Sequence, residues 1–129
     1  MRSYAYWLLL SVLEELKGNK KDIQQFGAKL GIKIAEELSY NELPQDSLVA
    51  FIRHILPTIS KYMDSQIDCT EEKKEISIHV GKEDSDGMQE EKLEMLSGVL
   101  SAVVERVLNI KIKVKTYAPS SLLIIQNTL

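Results

Sequence analysis

The chain has 129 residues, enough for one domain with its own core. Hydrophobic residues make up 44% and charged residues 27%, which excludes a disordered chain. Sixteen Lys and Arg against nineteen Asp and Glu leave a formal charge of −3, so the basic excess usual for a nucleic-acid binder is absent. The single cysteine, Cys69, cannot form an internal disulfide and fits a reducing compartment.

Arg2 precedes an apolar run from Tyr4 to Leu10, extended by Val12 and Leu13. The run lacks a small-residue cleavage site and is too short to span a bilayer, which takes about 20 residues. It is expected to form a mature, buried helix from Ser3 to Leu16, capped by Ser3 and ended by Gly18-Asn19. Its apolar residues surround the axis, so the domain or a second subunit must cover it on several sides.

A second helix is expected from Asp22 to Leu38, with Ile23, Phe26, Leu30, Ile34 and Leu38 at helical spacing. Gly27, Gly31 and Ala35 lie four residues apart on a neighbouring stripe. Each helical glycine costs up to about 1 kcal/mol against alanine, so two at this spacing imply that a backbone or ligand comes close. Tight helix packing is the plainer explanation.

After a loop through Pro44, Asp46 or Ser47 caps a third helix with Leu48, Phe51, Ile52, Ile55, Ile59 and Tyr62 inward. Pro57 should kink it or break it in two. Residues 67–70 and 75–80 read as a hairpin, with Ile76, Ile78 and Val80 on one face and Glu75, Ser77 and His79 on the other. A polar loop leads to a fourth helix from Gln89 to Leu108, apolar or small on every side from Met95 to Val104 and hence central. Residues 110–115 alternate cleanly, and Leu122 to Ile125 forms a closing strand apolar on both faces. The order ααα-ββ-α-ββ is an α+β plan: one domain over residues 1–129, with an antiparallel sheet of about four strands on four to five helices.

Candidate chemistry is sparse. Asp84-Ser85-Asp86-Gly87 has the outline of a calcium loop, but with Gly87 at the sixth position the first and twelfth ligands would be Lys82 and Leu93, which cannot replace carboxylates. His54 and His79 have no partner at metal-ligand spacing and are expected to face solvent. Cys69 reads as a half-buried structural thiol. Lys111, Lys113 and Lys115 form a basic row on one strand face, which would suit an acidic partner or acidic lipid and also guards a strand against aggregation. No aromatic interleaves the row, which argues against single-stranded nucleic acid. There is no phosphate-binding glycine loop, nucleophile elbow or paired-carboxylate arrangement, so no catalytic residue, metal or cofactor is expected.

The segment Phe26-Gly27-Ala28-Lys29-Leu30-Gly31-Ile32-Lys33-Ile34-Ala35-Glu36-Glu37-Leu38 resembles the second helix of TRAPP small subunits, those of the transport protein particle, in the Bet-three-like branch. Leu96-Ser97-Gly98-Val99-Leu100-Ser101-Ala102-Val103-Val104-Glu105, followed by a lysine-bearing strand and a hydrophobic strand, is similar to that family's closing unit. The four-vinyl reductase type ligand-binding domain shares the fold.

The resemblance implies a domain that dimerises through its helices and holds an apolar cavity near its central helix. It further implies a non-catalytic, cytoplasmic scaffold for vesicle tethering in ER-Golgi transport, in contact with membranes only peripherally. Its partners would be itself or a related TRAPP-like subunit, and a small GTPase through the assembled complex. The alternative is a stand-alone domain for a fatty-acyl or other apolar ligand. Tyr4, Trp7, Leu8, Gly27, Gly31 and Ala35 are then the expected dimer or packing interface. Leu30, Ile34, Ser97, Gly98, Ser101 and Ala102 are the expected cavity. Two family features do not carry over. The acylated cysteine before the third helix is replaced by Asn41-Glu42-Leu43-Pro44, and the ligand domains' cysteines by Met95-Leu96-Ser97-Gly98 and Tyr117-Ala118-Pro119-Ser120-Ser121.

Overall fold

A computed structural model describes residues 4–38, 47–63, 66–72, 75–81, 88–117 and 121–126. In chain order these form α1 (Tyr4–Glu15), α2 (Lys20–Glu37), α3 (Leu48–Met63), β1 (Ile67–Glu72), β2 (Glu75–Val80), α4 (Gln89–Leu108), β3 (Ile112–Tyr117) and β4 (Ser121–Gln126). The class is α+β, as the order of patterns in the sequence implies.

Local chemistry sets the helix ends. Gly18 takes φ +90°, the left-handed turn that separates α1 from α2. Asn19 then caps α2, its side-chain oxygen accepting the Asp22 N–H at 3.2 Å while its amide donates to the Asp22 carboxylate at 2.7 Å. Ser47 Oγ accepts the Ala50 N–H at 3.3 Å and opens α3. Asn109, left-handed at φ 57°, closes α4 by donating its N–H to the Glu105 carbonyl at 3.0 Å.

The expected break at Pro57 does not occur, because α3 continues through it from Leu48 to Met63. Proline frees the carbonyl four residues earlier, here that of Arg53. Both Arg53 and Pro57 are exposed, so water can satisfy that group while Phe51, Ile52, Ile55 and Ile59 stay buried on the opposite side.

The strands form one antiparallel sheet in the order β1-β2-β4-β3. Cys69 pairs with Ile78, Ile78 with Leu122 and Thr116 with Leu122, so these positions form one cross-strand row. Ile76 and Ile78 are buried and Ile112 and Val114 half-buried, whereas Glu75, His79, Lys113 and Lys115 on the alternate positions are exposed. One face of the sheet therefore meets the helices, with α4 over β3 and β4 and α3 over β1. β4, from the run apolar in both registers, is paired along both edges.

α4 is the central element, and every residue from Glu91 to Leu100 is buried. It lies against α2 at backbone distance. A Cβ on Gly27 would overlap the Met95 carbonyl oxygen, and one on Gly31 would stand 2.7 Å from that of Val99. A Cβ on Gly98 would overlap the Gln24 carbonyl oxygen. Contacts advance together along both helices, so α2 and α4 run in the same sense. The glycine spacing thus serves helix packing within one chain, and Gly27, Gly31 and the fully buried Ala35 are not open to a second subunit.

Candidate functional site

α1 has two unlike faces. Tyr6, Leu9, Leu10 and Leu13 are buried on its inner side. Tyr4, Trp7 and Leu8 stand 79%, 54% and 53% exposed on its outer side, where spacings of three and four residues bring them onto one stripe. The Trp7 ring meets the Tyr6 ring edge-on at 5.9 Å, which ties the exposed aromatic to the buried one. Ser11 Oγ donates to the Trp7 carbonyl at 3.1 Å. Solitary exposed apolar residues are ordinary, but a tyrosine, a tryptophan and a leucine together form a patch.

Polar contacts anchor this helix and its neighbours. Lys92, 4% exposed on α4, donates its ammonium to the Tyr6 hydroxyl. The ammonium lies 4.9 Å from the ring centroid, at the hydroxyl end of the ring, so hydrogen bonding outweighs attraction to the π face. Glu94, also buried, joins three elements. It accepts from Gln24 Nε2 of α2 at 2.6 Å and from Thr116 Oγ1 of β3 at 3.0 Å. Sequence patterns did not single out Glu91, Lys92 or Glu94. A signal was present: a helix covered on every side must take in whatever charges its first turns carry, and those need partners.

An open groove of about 790 Å³ lies on the outer side of the α2–α4 contact. Ser97, Gly98, Ser101 and Ala102 line it from α4 and Ala28 and Ile32 from α2, with Lys21, Glu105 and Arg106 among its polar lining. Four of the six expected cavity residues thus meet on one surface. The other two do not: Ile34 is buried in the core and Leu30 packs against it. The space beside Gly98 is filled by the backbone of α2, so the small residues form the floor of a groove and not the wall of an enclosed cavity.

Lys113 and Lys115 are exposed along β3, which is an edge strand, and Lys111 just before it is exposed as well. His54 and His79 are exposed, and Cys69 is half-buried. Burial pushes the Cys69 thiol above its usual range, partly countered by the Arg53 guanidinium, which donates to the sulfur and favours the thiolate. Burial and the Glu37 carboxylate, which accepts from the Tyr62 hydroxyl at 3.1 Å, likewise raise the Tyr62 phenol. Among the described residues no group of three or more His, Cys, Asp or Glu side chains could hold a metal ion. The calcium-loop outline at residues 84–87 lies outside the described residues. Among the described residues no helix is long and apolar enough to cross a membrane.

No protein-family model matches the chain, and a search of curated proteins finds no match.

Proposed function

We propose that this chain is a non-catalytic interaction subunit that docks a second subunit, its own copy or a related chain, on the outer face of α1. The observation that carries this reading is the exposure of Tyr4, Trp7 and Leu8 on a helix whose other face is locked into the core. Aromatic anchors on a rigid element are what hot spots of protein interfaces are made of. The Bet-three-like resemblance makes the setting a cytoplasmic TRAPP-like scaffold for vesicle tethering, with any small GTPase engaged by the assembled complex. Native mass spectrometry of the purified chain tests the reading: dimers without adduct, alone or as the unit of larger assemblies, are expected, and a strictly monomeric species at micromolar concentration counts against it.

A second reading is favoured by the groove over Gly98, Ser101 and Ala102, whose volume suits a fatty-acyl or other apolar ligand. Its open form and polar lining suit a ligand with a charged head. Replacing Ser101 with tryptophan fills the groove, and a retained lipid-sized adduct in that variant would remove this reading.

A further inference from the structure

The two outer strands of the sheet carry opposite charge. β1 holds Asp68, Glu71 and Glu72, of which Asp68 and Glu71 are exposed. β3 holds Lys113 and Lys115, with Lys111 just before it, and all three lysines are exposed. Among the described residues β1 pairs only with β2 and β3 only with β4, so each presents a free row of backbone donors and acceptors. An open crevice of about 280 Å³ lies between α3 and residues Ile67, Asp68 and Cys69, leaving space beside the acidic strand.

We infer that the β3 edge docks the β1 edge of a second copy of this chain and extends the sheet from one molecule to the next. The strand directions allow it. Successive neighbours in the order β1-β2-β4-β3 are antiparallel, so β1 and β3 run in opposite senses, and a translated copy sets β1 beside β3 as one more antiparallel pair. A register that keeps the helix-facing positions on one side puts Asp68 opposite Lys115 and Thr70 opposite Lys113. On the other side Cys69 then falls opposite Val114 and Glu71 opposite Ile112. Opposite charges directly across a strand pair stabilise it, and like charges oppose it. Basic edge against basic edge, and acidic against acidic, are therefore disfavoured, which leaves the unlike pairing. Such a contact joins two different surfaces, so it propagates into rings or open rows instead of closing as a two-fold dimer. It is separate from the α1 face and stands whether or not that face dimerises.

Charge complementation in a Trp7→Glu background, where the α1 face is disabled, tests the inference. Sedimentation velocity at low salt should show the mass rising with concentration beyond one chain, and about 0.5 M salt should return it to one chain by screening the edges. Lys113→Glu with Lys115→Glu makes both edges acidic, and Asp68→Lys with Thr70→Lys puts lysines on β1 at the two positions that face Lys115 and Lys113, so that both edges are basic there. Each variant alone should remain a single chain, and an equimolar mixture should associate again. All four positions are exposed, and matching circular dichroism spectra confirm that the variants fold. Three results overturn the inference: a single chain at every concentration in low salt, association unaffected by either charge reversal, or failure of the mixture to associate. Binding of the background protein to anionic vesicles without self-association would likewise overturn it, by assigning the lysines to a membrane surface. A parent chain that dimerises only through Trp7 would leave the α1 reading standing and end this one.

Discussion

Gly98 faces the carbonyl oxygen of Gln24 so closely that even a methyl group cannot stand between them. This contact, with Gly27 on Met95 and Gly31 on Val99, holds α2 against α4 and fixes everything the two helices carry outward. The atoms that a new side chain would strike are backbone atoms, which cannot swing aside.

Gly27→Ala and Gly98→Ala should therefore each destabilise the fold by about 3 kcal/mol, although alanine gains up to about 1 kcal/mol in helix propensity. Gly18→Ala meets no atom within 4 Å and should cost only about 1–2 kcal/mol, from its φ of +90°. Urea unfolding checks the contrast, with midpoints shifted in that order and the slope unchanged.

The Tyr6–Lys92 contact should be worth about 1.5–3 kcal/mol, the usual range for a hydrogen bond involving a charged group. Tyr6→Phe removes the hydroxyl and keeps the ring's packing. A double-mutant cycle with Lys92→Met isolates the pair, and a coupling near zero would show that Tyr6 acts by packing alone.

Glu94→Ala leaves Gln24 and Thr116 without their acceptor and should cost about 1–3 kcal/mol. Glu94→Gln should recover most of this, because the Gln24 amide can turn over and the Thr116 hydroxyl can rotate to accept. Thermal melts of the two variants give the comparison.

Cys69 should be slow to alkylate. Burial raises its folded-state pKa above the unfolded value, so at the pH where an unstructured thiol is half-ionised the folded protein holds less thiolate. The linked stability is fully present below the unfolded thiol pKa and is lost as pH rises through the folded one. Arg53→Met removes the charge that favours the thiolate and should move the alkylation midpoint higher still.

The elements themselves were legible in the sequence, because the periods of Ile76-Ile78-Val80 and of Phe51-Ile52-Ile55-Ile59 differ and leave little ambiguity. The central place of α4 followed from its lack of a polar side. Of the kink or break expected at Pro57, the break is absent, since a helix tolerates proline where its freed carbonyl can meet water, and that depends on a facing not visible in the chain order. The glycine stripe implies close packing and makes it, but periodicity does not tell whether the second helix comes from the same chain. Of the expected interface, Tyr4, Trp7 and Leu8 remain exposed while Gly27, Gly31 and Ala35 are used internally. The Gln24–Glu94–Thr116 junction joins residues far apart in the chain, and no local pattern encodes it.

Sedimentation equilibrium shows whether the outer face of α1 joins two chains. Wild-type chain at tens of micromolar, in about 0.5 M salt to suppress edge contacts, should weigh two chains. Trp7→Glu with Leu8→Glu, under the same conditions, should weigh one with its circular dichroism spectrum retained. A wild-type protein of one chain's mass, or a doubly substituted protein that still weighs two, would rule out docking through α1.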